Sequence, residues 1–288
     1  MSEKTKSGAK AAPVYAGDCA KPVTTASLVD MKRKGVKITM LTAYDCPTAR
    51  AAEEAGIDAV LVGDSVAMTK LGYESTLPVT MEEMLHHVKA VKRGLSRALL
   101  VADMPYLSYE LDAKEAARNA GRFLKEGGAH AVKLEGGLEV APIVKELVKV
   151  NVPVFGHLGL TPQAVHRLGG YRVQGRKPED AERIATEARV LEGAGVCAIV
   201  LECVPAELAR DITRRVCVPT IGIGAGAHCD GQVLVSDDML GLTEGGPTKF
   251  VKRYADLRAQ AVRAMADYCR EVREGRFPGP EHSFTNPS

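Results

Sequence analysis

The sequence predicts an α/β fold of the (β/α)8 TIM-barrel type, a single domain carrying a C-terminal amphipathic helix. Three observations predict it. Short runs rich in β-branched residues alternate with longer stretches of helical periodicity, the pattern of βα units around a parallel sheet. There are eight such runs, and from Ile38 to Val233 their starts recur about every 28 residues, close to the ~30 of a typical barrel. The chain of 288 residues also has the length for one such barrel of ~250 residues plus terminal extensions.

In order, the predicted strands are 38–42, 59–62, 98–102, 131–134, 152–156, 198–201, 220–223 and 233–236. The second βα unit has a well-marked helix. Thr80 and Glu83 make a T-x-x-E capping box, Met84, Leu85, Val88 and Val91 form an apolar stripe, and Gly94 stops it. Near the end, Phe250, Tyr254, Leu257, Ala261, Met265, Tyr268 and Val272 recur at steps of three and four, with Gly275 after them. That spacing predicts a long amphipathic helix with an apolar face for the barrel or a neighbouring subunit.

Two connections, 65–78 and 158–177, exceed simple βα turns, and the second contains Gly159, Gly169, Gly170 and Gly175. Loops of this length in a compact domain are usually functional, and both follow strands, which sets them at the catalytic face. Residues 1–25 are rich in Lys, Ala, Ser and Thr without a continuous apolar core. They are expected to be a flexible tail, neither secretion signal nor membrane anchor, ahead of a catalytic barrel domain over 26–288.

Hydrophobic residues at 45% and charged residues at 26% are the balance of an ordinary globular protein. Lys plus Arg number 38 against 36 Asp plus Glu. A net charge so small argues against nucleic acid or an anionic membrane as partner and favours a small metabolite. Seven cysteines, an odd number without a C-x-x-C pair, argue against a disulfide framework and fit a reducing, cytoplasmic compartment.

Candidate functional residues are marked by position. Asp64, Asp103, Glu135 and Glu202 each stand at or just past the C-terminal end of a different predicted strand, and His157 does so on a fifth. In a (β/α)8 barrel those ends surround one opening where ligands bind and react. Singly, each reads equally as a solvated loop carboxylate, and His157 equally as a satisfied core histidine. Lys133 lies two residues before Glu135 and shares its face, inside the barrel, as an ion pair or as part of a site.

Clustered oxygen donors without a matching Cys and His set favour a hard cation, magnesium, with Asp64 and Asp103 as first choices. The adjacent His86 and His87 fall in the helix after the second strand and are assigned to its surface, not to zinc. Gly222-Ile223-Gly224-Ala225-Gly226-Ala227 fits G-x-G-x-x-A, but His228-Cys229-Asp230-Gly231 follows where a phosphate-facing helix should begin. Dinucleotide binding is rejected on that ground.

Read together, Val62-Gly63-Asp64-Ser65, Ala102-Asp103-Met104-Pro105, Val132-Lys133-Leu134-Glu135-Gly136-Gly137, Gly156-His157-Leu158-Gly159-Leu160-Thr161-Pro162 and Leu201-Glu202-Cys203-Val204-Pro205 closely resemble the ketopantoate hydroxymethyltransferase family. Thr42-Ala43-Tyr44-Asp45, Ser75-Thr76-Leu77-Pro78-Val79-Thr80, Gly169-Gly170-Tyr171 and Glu281-His282-Ser283-Phe284 extend the likeness over about residues 24 to 284. The resemblance implies transfer of a hydroxymethyl group from 5,10-methylenetetrahydrofolate to the 2-oxo acid 3-methyl-2-oxobutanoate, giving 2-dehydropantoate. It implies one Mg2+ per subunit and self-association into a ring-shaped homo-oligomer, usually a decamer. By the same resemblance Asp64, Asp103 and Glu135 contact the metal, Glu135 directly or through water. Asp64, Ser65, Asp103 and Lys133 bind substrate, and Glu202 is the base.

A magnesium-dependent lyase or mutase of the phosphoenolpyruvate mutase and isocitrate lyase type would use the same fold, a metal and an enolate. Its common Lys-Lys-Cys-Gly-His loop is absent from this chain. A non-catalytic barrel that binds or assembles is the third reading, and the retained carboxylates speak against it.

Overall fold

A computed structural model describes residues 21–245 and 248–285. Among them, eight parallel strands close in sequence order, with β1 paired to β8. They are β1 (Ile38–Thr42), β2 (Ala59–Val62), β3 (Leu99–Asp103), β4 (Ala131–Glu135), β5 (Val154–Gly159), β6 (Ala198–Glu202), β7 (Thr220–Ile223) and β8 (Gly231–Leu234). Helices in chain order are α1 (Thr25–Arg33), α2 (Cys46–Glu54), α3 (Val66–Thr69), α4 (Met81–Lys92), α5 (Ala113–Lys125), α6 (Ala141–Lys149), α7 (Val165–Leu168), α8 (Pro178–Ala194), α9 (Ala206–Arg215), α10 (Ser236–Met239) and α11 (Leu257–Arg273).

Strand alternation divides the apolar residues into two layers. Ala59, Leu61, Leu99, Val101, Ala131, Phe155, Ala198 and Val200 pack with Ile38, Met40, Ile221 and Val233 inside the barrel. Val60, Val62, Leu100, Ala102, Val132, Leu134, Val154, Ile199 and Leu201 face outward, where α2, α4, α5, α6, α8 and α9 cover them. Period two therefore carries Asp103, Lys133, Glu135, His157 and Glu202 to the inner face, above Val101, Ala131, Phe155 and Val200. Lys133 and Glu135 do share the barrel interior, and Leu134 faces the helices.

Local signals account for the helix boundaries. The Thr80–Glu83 capping box is formed, and α4 buries Met84, Leu85, Val88 and Val91. Asp45 caps α2 through Thr48 N at 2.8 Å, and Gly195 in the left-handed conformation ends α8.

Several expectations shift. β3, β4 and β6 run through Asp103, Glu135 and Glu202, because ladder pairs such as Asp103 with Lys133 and Glu135 with His157 continue the sheet past the apolar run. β5 starts two residues later and ends three later than predicted, and β8 lies two residues earlier. β7 and β8 are joined by 224–230 with no helix between them, so the seventh unit lacks its α element. Of the dinucleotide-like glycines, Gly222 lies in β7 and Gly224 and Gly226 lie in that turn.

Residues 1–20 of the expected tail lie outside the described residues. Residue 25 itself already opens α1, capped by Thr24 with Ser27. Val23 N donates to the Arg97 carbonyl at 2.8 Å, and Leu28 is fully buried with the inner-barrel residues.

By internal contacts the chain divides into two compact units, residues 1–235 with the barrel and residues 236–288. In the second, α11 begins at Leu257 with Asp256 as its cap, seven residues after the predicted start at Phe250. The backbone amides of Tyr254 and Leu257 bond instead to the carbonyls of Met239 and Leu240, which holds 248–256 against the end of α10. No residue of α11 is buried. Among the described residues, no helix is long and apolar enough to cross a membrane.

Candidate active site

Gly63 follows β2 where a Cβ would crowd Ser65 Oγ at 2.7 Å. The bare backbone lets the chain turn, so that Asp64 N donates to Asp103 Oδ2 at 3.0 Å. Ser65 follows, its hydroxyl 2.8 Å from the hydroxyl of Tyr44. At the end of β5, Gly159 has φ +96° and lies where a Cβ would strike the carbonyl oxygen of the residue that ends β6, Glu202. The next residue, Cys203, is a non-glycine at φ +47°, a strained conformation of the sort that gathers at functional sites. Cys203 is tied to Ile223 O through its N–H at 2.8 Å and to Gln174 N through its carbonyl at 2.9 Å.

These elements converge on one cavity of ≈130 Å3 lined by Asp64, Ser65, Asp103, Lys133, Glu135, His157 and Glu202. Every site residue expected from the sequence is there. Leu61, Val200, Ile223 and Val233 complete its floor and walls, and the two long connections supply Met68, Thr76, Pro162 and Tyr171. Those connections meet where Tyr171 Oη lies 3.8 Å from Met68 Sδ. Both contain short helices, α3 in the first and α7 with the 3-10 turn Pro162–Ala164 in the second. A larger cavity of ≈400 Å3, lined by Leu77, Tyr106, Tyr109, Glu110, Gln163 and Arg167 among others, shares Glu135 with the first.

Lys133 Nζ stands 3.0 Å from Asp103 Oδ1 and 3.1 Å from His157 Nδ1. His157 Nδ1 is 3.3 Å from Glu135 Oε1 and its Nε2 is 3.1 Å from Glu202 Oε2. A neutral imidazole accepting from Lys133 would aim a lone pair at Glu135. A protonated ring would instead carry one N–H toward each glutamate, with Nδ1 also beside the Lys133 ammonium. Burial and the Lys133 charge push its pKa down, but the bonds to Glu135 and Glu202 outweigh them and raise it to about 9. The Nε2 contact is short but off-axis, so it is an ion pair without a well-directed hydrogen bond. His157 is thus part of the charged cluster, one of the two readings its sequence position allowed.

The other charges follow the same logic. Burial raises Asp64 well above the usual carboxylate range, and the charges of Asp103 and Glu135 push it further. Asp103 is raised mainly by burial against the opposing pull of Lys133. Burial also acts on Glu135, but the His157 bond leads a set of contacts that holds it below its ordinary value. Lys133 is lowered by burial, yet Asp103, Glu135 and Asp64 more than offset this and keep it cationic. Four carboxyl groups thus share this space with Lys133 and His157, and burial together with mutual repulsion disfavours full ionisation of Asp64 and Asp103.

Asp103 Oδ1 is buried and has no hydrogen bond of good geometry despite the nearby ammonium. Asp64 and Asp103 lie next to each other at the ends of neighbouring strands and could together contribute oxygens to a cation, Asp103 already being in contact with Lys133 and with Asp64 N. Both Glu135 oxygens are engaged, Oε1 by His157 and Oε2 by Gln163 N at 3.0 Å. Among the described residues no three His, Cys, Asp or Glu side chains form a ready metal cage.

Sequence reasoning missed Gln163, Tyr109 and Thr76, polar loop residues whose one-dimensional signal is that of surface. Thr76 is 2% exposed, and its hydroxyl has no hydrogen-bond partner. His86 is exposed, as expected, but His87 is half-buried and its Nδ1 lies 2.7 Å from the Tyr44 carbonyl.

Among solved structures, phosphoenolpyruvate phosphomutase from Streptomyces platensis subsp. rosaceus superposes with a TM-score of 0.58 at 15% identity, covering 91% of this chain and 92% of the other. A phosphonopyruvate hydrolase complex with oxalate and Mg++ gives 0.59 at 13% identity, covering 91% of each. At such identities the likeness is one of fold. In sequence, the 3-methyl-2-oxobutanoate hydroxymethyltransferase of Thermoanaerobacter sp. (strain X514) is 57% identical over 263 residues, 91% of this chain and 96% of its own length. That of Carboxydothermus hydrogenoformans is 58% identical over 263 residues, covering 91% and 95%. The family model for ketopantoate hydroxymethyltransferase matches residues 22–280, and the chain belongs to that family.

Proposed function

We propose that this chain transfers a hydroxymethyl group from 5,10-methylenetetrahydrofolate to 3-methyl-2-oxobutanoate, giving 2-dehydropantoate for pantothenate and coenzyme A synthesis, with one Mg2+ per subunit. The observation that carries the reading is the single cavity on which Asp64, Ser65, Asp103, Lys133, Glu135, His157 and Glu202 converge, in a member of this family.

The residues suit magnesium. The cluster of carboxyl groups, the raised Asp64 and an Asp103 Oδ1 that has an ion pair with Lys133 but no well-directed hydrogen bond match a hard cation that takes one or two carboxylates and completes its shell with water and substrate oxygens. Asp64 and Asp103 would hold it. Glu135, with both oxygens engaged, would act through water. When bound, the ion supplies positive charge that draws electrons from the 2-oxo group.

The chain's own groups do the rest. Ser65, held by Tyr44, and Lys133 bind the oxo acid. Glu202, its side chain 16% exposed, is open enough to the cavity to take the C3 proton as general base. His157 orients Glu202 and, with Lys133, opposes the negative charge that grows on the substrate as that proton leaves. The enolate carbon then bonds to the methylene carbon of the carrier. The C–N bonds to the folate break, one water supplies the product hydroxyl after the carbon–carbon bond has formed, and tetrahydrofolate leaves, for which the ≈400 Å3 cavity that shares Glu135 gives room beside the first. The two long connections, touching at Met68 and Tyr171, would keep water from the reactive carrier.

The family reading also carries a ring-shaped decamer in the cytoplasm, which light scattering of the purified protein tests. The chemistry is tested by proton NMR of 3-methyl-2-oxobutanoate in heavy water with enzyme and magnesium, before and after adding the folate, with a chelated control. Metal-dependent loss of the C3 proton signal, then a hydroxymethyl product only with folate, is expected. Neither change, with folded protein, would sink the assignment.

A further inference from the structure

Gln163 sits in the 3-10 turn after β5 and is 7% exposed. Both side-chain polar atoms and the backbone N–H are used. Nε2 donates to Asp64 Oδ2 at 2.9 Å and to the Met104 carbonyl at 3.0 Å. Oε1 accepts from Tyr109 Oη at 2.8 Å, and the backbone N–H donates to Glu135 Oε2 at 3.0 Å. The amide has only one workable orientation. Reversed, its carbonyl oxygen would face a carboxylate and a second carbonyl, and its NH2 would face Tyr109.

Tyr109 fixes that orientation. Its oxygen accepts from Glu135 N at 3.1 Å, and its one proton has two acceptors in reach, Gln163 Oε1 at 2.8 Å and the Glu135 carbonyl at 3.1 Å. The shorter contact assigns the proton to Gln163. One buried residue therefore braces two carboxylates that come from different strands, Asp64 through its side chain and Glu135 through its main chain.

We propose that Gln163, oriented by Tyr109, is a positioning residue that fixes the carboxylate of Asp64, with Glu135 beside it, for a divalent cation. The inference rests on the magnesium reading above. Asp64 is repelled by its carboxylate neighbours, and without a donor on Oδ2 it has reason to turn away from them. Partners that hydrogen-bond to metal ligands are typically worth about 10–100-fold in metal affinity.

The test is Mn2+ binding to the full-length protein, followed by the electron paramagnetic resonance signal of free Mn2+, for wild type, Gln163→Met and Tyr109→Phe. Gln163→Met keeps the size and the main-chain bond to Glu135 while removing the side-chain bonds. We expect the Mn2+ dissociation constant to rise about 10-fold or more in Gln163→Met and to rise less in Tyr109→Phe. Metal affinity within twofold of wild type in Gln163→Met would overturn the proposal, whatever the variant does to thermal stability. If Gln163→Met does not fold, Tyr109→Phe decides: weakened Mn2+ binding supports the role, and unchanged binding overturns it. A wild type that binds no Mn2+ removes the magnesium reading and this inference together, whereas a binding wild type with unaffected variants removes only the inference.

Discussion

Replacing Lys133 by methionine is expected to destabilise the protein far more than a surface lysine would. The ammonium side chain is 5% exposed, and its partner Asp103 is 4% exposed at 3.0 Å. Among the described residues lining this cavity, His157 is the one other side chain able to carry positive charge, and it is already engaged with Glu135 and Glu202. Methionine fills the aliphatic volume but leaves Asp103 without its counter-charge, next to Asp64. Breaking a buried pair by removing one partner costs about 3–5 kcal/mol. At about 2–4 °C per kcal/mol for a domain of this size, the melting temperature should fall by roughly 6–20 °C. The assay is thermal unfolding by circular dichroism at pH 7 in chelator, with Lys133→Met and Lys133→Met/Asp103→Asn at one protein concentration. The double variant removes the stranded charge and should recover at least about half of the loss. A Lys133→Met protein that melts with wild type, or a double variant no more stable than the single, would refute the argument that Lys133 balances a buried carboxylate.

Three further outcomes follow from the geometry. Thr76→Val removes a buried hydroxyl that has no partner, so stability should hold or rise slightly, while KM for the oxo acid rises if that hydroxyl meets substrate; unchanged kinetics would confine Thr76 to the wall. Gly159→Ala forces a side chain onto φ +96° and into the Glu202 carbonyl, and should cost about 1–3 kcal/mol with slower C3 proton exchange, read by denaturant titration and NMR. Glu53 is pushed up by burial, but bonds from Ser96 and the amides of Ala98 and Arg97 outweigh this and lower its pKa. A depressed folded pKa gives stability that is present above the unfolded value near ~4.3 and lost as pH falls through the folded value. Glu53→Gln should therefore lose about 1 kcal/mol at pH 7, a figure reduced for solvent screening, and the gap to wild type should close in acid; a gap independent of pH would contradict it.

The eight strands, the barrel and the strand-end carboxylates were legible in the sequence because each rests on local information. Side chains alternate with period two, so a charged residue two past an inward apolar residue must face inward as well. That places Glu135 and Lys133 over Ala131, and Glu202 over Val200, without any knowledge of the neighbours. The terminal helix was overextended for a related reason. Phe250 and Tyr254 keep helical spacing, but the amide of Tyr254 finds its partner at Met239, which spacing cannot report.

What the sequence by itself determined is the fold, the family and the set of charged residues at one barrel mouth, because periodicity and ordered motifs are properties of the chain read along its length. Only the tertiary structure decided how those charges are balanced. Gln163 meets Asp64 across 99 residues of sequence, Tyr109 meets Gln163 across 54, and His157 takes its raised pKa from glutamates on two other strands. A buried polar group must find partners wherever the fold brings them. Its role is fixed by distance and desolvation in three dimensions, which residue type and sequence position do not contain.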